Sequence, residues 1–190
     1  MISRYKKNLK ILEKENVYSK EMEHDACGVG LVASTEGKKS RKVVEYGIEA
    51  LKAVWHRGAV DADGKTGDGA GIHLEIPSDF FAEKIELTGH KHDGSEICVG
   101  MIFLPRNDYE AQENARTIVE RELTKSNFNI YGWRQVPVNP KVLGEKANIT
   151  RPEITQVLFK HNEKGLNGKD LERKLYESRR KIEKKRSIML

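Results

Sequence analysis

Short apolar runs of strand length recur along this chain, and they constrain its fold more than any other feature. Each is bounded by polar or turn-forming residues, and their composition is typical of strands buried in a sheet. The runs are CGVGLVAS, IHLEIP, ICVGMIFLP, FNIYGWRQVPV and EITQVLFKH, at residues 27–34, 72–77, 97–105, 128–138 and 153–161. Segments of helical period alternate with them, so the sequence predicts an α+β fold in the order β-α-β-β-α-β-β-α.

Three segments have apolar residues on one helical face. The first starts at Ser40 and is predicted to end at Arg57–Gly58, where the glycine is a natural stop. The second, YEAQENARTIVERELTK, begins behind the cap Asn107–Asp108. The third is the tail, residues 169–190, which is predicted to be a basic amphipathic helix with a solvated charged face. The apolar positions are Val44, Ile48, Leu51 and Trp55 in the first segment, and Leu171, Leu175 and Ile182 in the tail.

The charge distribution does not demand an acidic partner. The formal net charge is +5, and residues 169–190 contain nine Lys/Arg and four Asp/Glu, so the tail alone accounts for the excess. The tail lacks the interleaved aromatic residues of a nucleic-acid-binding segment. No apolar run reaches the ~20 residues that span a bilayer, and residues 1–26 lack the apolar stretch of a secretory signal. We therefore expect a single-domain cytoplasmic protein that binds neither nucleic acid nor membranes.

The chain has two cysteines, which lie in different segments without a CxxC motif or a His/Cys cluster nearby. This pattern indicates neither a disulfide framework nor a metal site. Cys98 lies inside the run ICVGMIFLP and is predicted to be a core residue. Cys27 has two interpretations, because it is either a buried cysteine at the start of a strand or a nucleophile.

A nucleophilic Cys27 needs a base, since only the thiolate attacks. His24 is three residues away, but in an extended chain it would point off the opposite face of the strand. Cleavage between Ala26 and Cys27 would supply another base, a free α-amine with a pKa of ~8 on the nucleophile's own residue. From the residues alone, both interpretations stay open.

The segments around Cys27 resemble a known family. DACGVGLVA, GIEALKAVWHRGAVDADGKTGDGAGIHLEIPSDFF and VGMIFLP are similar to the start of the large (alpha) subunit of glutamate synthases. The similarity continues through YGWRQVPV, RPEITQVLF and LERKLYESRRKIE, in the same order and with similar spacing, and covers residues 21–186. It implies an N-terminal class II glutamine amidotransferase domain with an Ntn-hydrolase fold, a four-layer αββα sandwich.

The resemblance also implies roles for individual residues. Residues 1–26 would be a propeptide and residues 27–190 a partial amidotransferase domain, with Cys27 as the nucleophile that attacks glutamine and its α-amine as the base. Arg57, in WHRG, matches the family arginine beside the nucleophile, and its alternative is a structural arginine at the C-terminal carbonyls of the preceding helix. Gly58 would let the chain turn sharply past the substrate. Asp68, in TGDGAG, is interpreted as part of the architecture around the pocket.

The chain departs from the family pattern in two segments. The family's oxyanion donors come from a His-Asn-Gly-Glu-Ile segment, and the glutamine α-carboxylate is held by the arginine of a His-Ser-Arg-Phe-Ser-Thr-Asn segment; this sequence contains neither. The string HNEKG, residues 161–165, lacks the glycine after asparagine and is interpreted as unrelated. We therefore expect about the first half of a glutaminase domain, inactive alone. The alternative is a non-catalytic, partner-binding module.

The resemblance implies no cofactor and no metal in this segment. In the full enzyme it implies FMN and an iron–sulfur cluster, in domains that would follow, and an oxidoreductase that makes glutamate from glutamine and 2-oxoglutarate. The expected partners are glutamine, the remainder of the large subunit and the small subunit.

Overall fold

The computed structural model describes residues 11, 28–55, 58–67 and 69–186. The chain forms two compact units, Met1–Ala59 with Asp68–Ile72, and Val60–Gly67 with His73–Leu190. In the first unit, helix α1 spans Arg41–Ala53 and begins behind Ser40, whose hydroxyl accepts the N–H of Lys42 at 3.2 Å. The predicted first helix is thus confirmed, although it ends at the cap Val54 rather than at Arg57–Gly58.

The second unit is built around an antiparallel sheet of three strands in the order β1-β3-β2. The strands are β1 Cys98–Leu104, β2 Phe128–Gln135 and β3 Glu153–His161. The central strand β3 pairs with β1 from Cys98↔Phe159 to Leu104↔Glu153, and with β2 from Phe128↔His161 to Gln135↔Thr155. Three of the predicted strands are therefore confirmed, and the α+β class with them.

Helices cover both faces of this sheet. Those that pack on it are α2 Ser78–Glu86, α3 Tyr109–Lys125 and α5 Gly168–Arg186. A 3₁₀ turn at Pro140–Val142 and the short helix α4 Glu145–Thr150 lie between β2 and β3 along the chain. The predicted cap of α3 is confirmed, because the Asp108 carboxylate accepts the N–H of Ala111 at 2.9 Å. None of the described helices is long and apolar enough to cross a bilayer.

Two clusters of buried side chains fill the faces of the sheet. On one face, α3 and α5 pack on a cluster formed by Cys98, Val119, Leu123, Phe128, Val157, Phe159 and Leu171, with Leu175 and Ile182 packed against it. The apolar stripe predicted for the tail helix thus contacts the core. On the other face, α2 packs through Phe81 and Ile85 on Leu158 and Tyr131. Full burial of one such side chain contributes about 1.5–3 kcal/mol to the free energy of unfolding.

A bulge in β2 requires a glycine. The register of β2 against β3 shifts between Ile130 and Gly132. Gly132 has a φ of 145°, which other residues rarely adopt, and an added Cβ would lie 3.0 Å from Cγ2 of Thr88. The glycine that interrupts the predicted strand is therefore the point where the strand bends past Thr88.

Two predicted strands are wrong in the described residues. Residues 28–34 and 72–77 carry no strand assignment, and Val29 and Leu31 are 89% and 92% exposed. An apolar run becomes a strand only when another strand supplies its hydrogen bonds, and within the described ranges no strand pairs with these two. Helix α2, by contrast, follows Pro77 and was not predicted; its signal was Phe81 and Ile85, four residues apart on one face.

Candidate functional site

The structure describes the segments that neighbour the predicted site residues along the chain, but it does not describe Cys27, Arg57 or Asp68. Cys27, Arg57 and Asp68 lie outside the described residues, so the nucleophile, the arginine and the aspartate stay predictions. Gly58 is described, and so are the segment that follows Cys27, the helix before Arg57 and the loop before Asp68. The geometry around the predicted site is therefore described from these segments.

Gly58 is hydrogen-bonded to Trp55, just after α1. Its N–H donates to the carbonyl oxygen of Trp55 at 3.0 Å, and an added Cβ would lie 3.4 Å from that same oxygen. Trp55 itself is 77% exposed, so the last apolar position of the predicted helical stripe is not packed. The sharp turn expected at Gly58 and its contribution to substrate binding stay predictions.

The segment after Cys27 passes close to α1. A Cβ added to Gly30 would lie 4.0 Å from the Cβ of Ala50, which is ordinary van der Waals contact. Both residues belong to the first unit. The residues that follow the predicted nucleophile and the helix that precedes Arg57 are therefore neighbours at this point.

Residues 60–67 form a closed hairpin in the second unit. Val60 and Gly67 form an antiparallel bridge, and the N–H of Asp61 donates to the carbonyl oxygen of Thr66 at 2.7 Å. Inside the hairpin, one oxygen of the Asp63 carboxylate accepts the N–H of Lys65 at 2.9 Å and the N–H of Thr66 at 2.7 Å. Its other oxygen accepts the Thr66 hydroxyl at 2.5 Å. These bonds favour the ionised carboxylate, so they hold the pKa of Asp63 well below its usual range.

The hairpin rests on the start of α4, some 80 residues along the chain. The ammonium group of Lys146 donates to both carboxylate oxygens of Asp61 at 2.8 Å. The N–H of Ala147 donates to the Thr66 hydroxyl oxygen at 3.5 Å. We name the hairpin 60–67 together with residues 144–147 the hairpin clamp. An Asp-x-x-Thr turn was readable from the sequence, but its contact with α4 was not, because no local pattern joins such distant segments.

Cys98 is a core residue, as predicted. It is 3% exposed in β1, within the cluster under α3 and α5. Burial, with smaller contributions from the carboxylates of Glu96 and Glu172, raises the pKa of its thiol to about 12. The thiol therefore stays protonated at neutral pH, and Cys98 is no rival to Cys27 as a nucleophile.

The string HNEKG starts at the last residue of β3, and Asn162 in it is hydrogen-bonded to Asn127. The backbone N–H of Asn162 donates to the carbonyl oxygen of Asn127 at 3.0 Å, and its side-chain amide donates to the Asn127 side chain at 3.1 Å. The ring of His161 packs on Phe128 and accepts the N–H of Glu163 at 3.1 Å. The interpretation of this string as unrelated to the family segment stays a prediction.

An open cleft of about 250 Å³ lies beside His161, and its lining includes Lys125 of α3 and Lys174, Glu177 and Lys181 of α5. Among the described residues, no three His, Cys, Asp or Glu side chains are grouped so that they could hold a metal ion.

Comparison with known proteins connects these segments. Residues 27–189 match the sequence model of the family described as glutamine amidotransferases class-II. The matched range begins at Cys27 and includes Arg57, Gly58 and the whole hairpin clamp.

Similar sequences occur in much longer proteins. The chain is 53% identical over 183 residues to the glutamate synthase [NADPH] large chain of Azospirillum brasilense, an alignment that covers 96% of this chain and 12% of the relative. It is 41% identical over 164 residues to ferredoxin-dependent glutamate synthase 2 of Synechocystis sp., covering 86% of this chain and 10% of that protein. It is 39% identical over 165 residues to ferredoxin-dependent glutamate synthase 1 of Arabidopsis thaliana, covering 85% of this chain and 10% of that protein. The chain thus spans about a tenth of the length of these relatives.

Proposed function

The chain belongs to the class II glutamine amidotransferases, and from this membership we propose that it is the nucleophile-bearing part of a glutaminase. In this proposal the glutaminase hydrolyses the side-chain amide of glutamine to glutamate and ammonia. The observation that carries the proposal is the family match, which begins at Cys27, the residue to which the resemblance assigns the role of nucleophile. The high pKa of the Cys98 thiol supports the choice of Cys27, because it leaves the chain with one cysteine that can become a thiolate.

We propose that removal of residues 1–26 makes Cys27 the first residue. Its free α-amine, with a pKa of ~8, can then accept the thiol proton near neutral pH. The thiolate attacks the amide carbon of glutamine, and the carbonyl oxygen becomes an oxyanion. When this intermediate collapses, the carbon–nitrogen bond breaks, the ammonium group returns the proton to the leaving nitrogen, and ammonia departs. A glutamyl thioester on Cys27 remains.

Water completes the reaction. The α-amine takes a proton from water as the oxygen attacks the thioester carbon, and the second tetrahedral intermediate releases glutamate and the Cys27 sulfur. The proton then returns to the sulfur. Arg57 is proposed to keep the surroundings of the thiolate electropositive, since its guanidinium stays charged at any working pH. Gly58 is proposed to leave room for the substrate at the turn after α1.

The remainder of the domain is proposed to supply what this chain lacks. The oxyanion donors and the arginine for the glutamine α-carboxylate would come from it, and removal of one oxyanion donor costs about 100- to 1000-fold in rate. For the complete domain we propose the four-layer αββα sandwich that the resemblance implies. Exposed apolar side chains in residues 28–34 and 72–77 support this, because they are spaced as in strands that await a partner: Val29, Leu31, Ile72, Leu74 and Ile76.

In the complete protein, the ammonia is proposed to serve glutamate synthesis from 2-oxoglutarate in the cytoplasm. That step would use FMN and an iron–sulfur cluster, held by parts of the large subunit outside this chain, with a small subunit as a further partner. The names of the three relatives support this proposal, since each is a glutamate synthase.

A second candidate is a non-catalytic module that binds a partner. The exposure of Val29 and Leu31 favours it, because exposed apolar side chains often mark interaction surfaces. The two candidates differ in their need for Cys27 at the N-terminus, which a binding module has no use for.

Ammonia release tests the proposal directly. Three chains are compared, one that starts at Met1, one that starts at Cys27 and one that starts at Cys27 but carries Cys27→Ser, each alone and with the rest of the amidotransferase domain of the Azospirillum relative. We expect release of ammonia from glutamine only from the chain that starts at Cys27 in the presence of the remainder. Equal release from the chain that starts at Met1 would contradict the role of the α-amine.

A further inference from the structure

We propose that Asn167 is a site of deamidation, in which the backbone nitrogen of Gly168 displaces the side-chain nitrogen of Asn167 as ammonia. These residues form the one Asn-Gly pair in the sequence, and they lie in the second unit at the start of α5. The proposal is independent of the glutaminase reaction, because the nucleophile and the ammonia that is lost both come from this pair.

The reaction is intramolecular and consumes only water. The Gly168 nitrogen gives up its proton to hydroxide and attacks the side-chain carbonyl carbon of Asn167, so that a new carbon–nitrogen bond closes a succinimide ring. The bond from that carbon to Nδ2 breaks, and Nδ2 takes a proton from water and leaves as ammonia. Water then opens the ring. Opening at the former side-chain carbonyl gives aspartate, and opening at the backbone carbonyl gives isoaspartate.

The nitrogen of Gly168 is open to attack on the side chain before it. Gly168 has a φ of 52°, in the left-handed region, and an added Cβ would have nothing within 4 Å. Its N–H is the first of α5, and N–H groups of the first helical turn have no acceptor inside the helix. Within the described residues this N–H donates no hydrogen bond. The nucleophile is therefore neither crowded nor engaged.

The side-chain amide of Asn167 is held at one atom. Its Nδ2 donates to the carbonyl oxygen of Gly165 at 3.1 Å, whereas its Oδ1 accepts no hydrogen bond from the part of the chain that the structure describes. Asn167 thus precedes a helix without making the capping bond that Ser40 and Asp108 make to theirs. Asn167 and Gly168 are both exposed, so water and hydroxide reach the pair.

The backbone at this point can open without loss of the core. Attack requires the Gly168 nitrogen to approach the side-chain carbon of Asn167, so the first turn of α5 must unwind. The bond that closes this turn, from the N–H of Leu171 to the carbonyl oxygen of Asn167, is 3.4 Å long, whereas such bonds are usually about 2.9–3.0 Å. Helix ends open at a small fraction of the free energy of global unfolding. Leu171, which is 3% exposed, is the first residue of α5 in the core cluster.

Two other asparagines show what protects such a side chain. Asn139 also precedes a helical turn, but its Oδ1 accepts the N–H of Lys141 at 3.3 Å, and the nitrogen of Pro140 carries no hydrogen to lose. Asn162 is followed by Glu163, whose N–H is engaged by a histidine ring at 3.1 Å. Both asparagines therefore lack the free nucleophile that Gly168 provides.

Two Asp-Gly pairs of the described residues could close the same ring, Asp63–Gly64 and Asp93–Gly94. An ionised carboxylate is a poor electrophile, so these pairs react only when the acid is protonated. Hydrogen bonds from Thr66 and Lys65 hold the pKa of the Asp63 carboxyl well below its usual range, and those from Lys160 and Ser95 do the same for Asp93. Both carboxylates stay ionised at neutral pH, and the amide of Asn167 has no such protection.

Peptide mapping by mass spectrometry tests the proposal on the full chain under native conditions. The protein is incubated at pH 7 and pH 9, and replacement of the side-chain NH₂ by OH is followed at Asn167, with Asn139 and Asn162 as internal controls. Aspartate and isoaspartate forms are separated by chromatography against synthetic standards. A synthetic peptide of residues 163–171 gives the rate of the same sequence without the fold, and Asn167→Gln lengthens the side chain so that the succinimide ring cannot close.

We expect deamidation at Asn167 and none at Asn139 or Asn162. The rate in the folded chain should lie within about tenfold of the rate in the peptide, since tenfold corresponds to only about 1.4 kcal/mol of local opening. The rate should rise with pH in proportion to hydroxide, and both aspartate and isoaspartate should form. Asn167→Gln should show no modification at this position and the same circular dichroism as the wild type, because the side chain is exposed.

A rate in the folded chain more than about tenfold below that of the peptide would overturn the proposal, because α5 would then protect the pair. Equal modification of Asn139 or Asn162 would do the same, and aspartate without isoaspartate would exclude the succinimide route. Ammonia from Asn167 is limited to one molecule per chain and needs no glutamine. The test is therefore separate from that of the glutaminase, and either can fail without the other.

Discussion

Two stretches of this chain have the same residue types and opposite surroundings. Val157 and Leu158, in the central strand, are 1% and 0% exposed, whereas Val29 and Leu31, just after the predicted nucleophile, are 89% and 92% exposed. The first pair lies in a strand with partners on both sides and helices on both faces. The second pair lies in a segment without a strand assignment. Apolar residues give a chain the capacity to form a core, and partners decide whether that capacity is used.

The comparison is sharpest for leucine. Leu158→Ala should lower the free energy of unfolding by about 2–5 kcal/mol, because it removes buried methyl groups and leaves a cavity in the sheet. Leu31→Ala should change it by less than about 0.5 kcal/mol, as at an exposed position. Urea unfolding followed by circular dichroism measures both. A cost for Leu31→Ala close to that of Leu158→Ala would show that the segment after Cys27 is packed.

Two glycines, Gly100 and Gly47, differ in the space available for a side chain. A Cβ added to Gly100 in β1 would lie 2.7 Å from Cγ1 of Val157, so Gly100→Ala should cost about 1–3 kcal/mol through overpacking. Gly47 is a helical glycine with open space around it, and Gly47→Ala should stabilise α1 by about 0.5–1 kcal/mol. Thermal unfolding of the two variants should shift in opposite directions. A lower unfolding temperature for Gly47→Ala would mean that other residues pack against α1 at Gly47.

Helix caps provide a third pair. Asp108→Ala removes the carboxylate that caps α3 and should cost about 1 kcal/mol in the unfolding of the sheet unit. Ser40→Ala removes the cap of α1, which has no buried residue, so it should reduce helix content without changing the unfolding of the sheet. Circular dichroism and hydrogen exchange at Leu158 separate these effects. Faster exchange at Leu158 in Ser40→Ala would contradict this expectation.

The smallest effect concerns pH. The ammonium group of Lys160 hydrogen-bonds the Asp93 carboxylate, with a further bond from Ser95, and these contacts lower the pKa of Asp93 below its unfolded value of about 3.8. The stability that this contributes is present above about pH 4 and is lost as the pH falls through the lower, folded pKa. Asp93→Asn should therefore be less stable than wild type at pH 7 and approach it near pH 2. Parallel curves between pH 7 and pH 2 would contradict this linkage.

Much of the sheet unit was predictable from local pattern. The three strands, the Asp108 cap, and the Leu171, Leu175 and Ile182 stripe all follow from periodicity, because their partners lie in the same unit. Residues 28–34 and 72–77 show the limit, since a strand pattern cannot say whether a pairing strand exists. Gly144 shows a second limit of prediction from sequence. An added Cβ there would clash with Thr66 of the hairpin, and a glycine that is needed for space in this way has no local sequence signature. The roles of Cys27 and Arg57 rest on the resemblance, and both residues lie outside the described residues.

The central claim is that Cys27 becomes the first residue and acts as the nucleophile. Its most direct test is the intact mass of the purified protein before and after treatment with 6-diazo-5-oxo-norleucine, a glutamine-like electrophile, followed by peptide mapping. The account predicts a chain that begins at Cys27 and, once the rest of the domain is supplied, one adduct on Cys27 and none on Cys98. A chain that retains residues 1–26 and still gains the adduct at Cys27, or an adduct on Cys98, would contradict it.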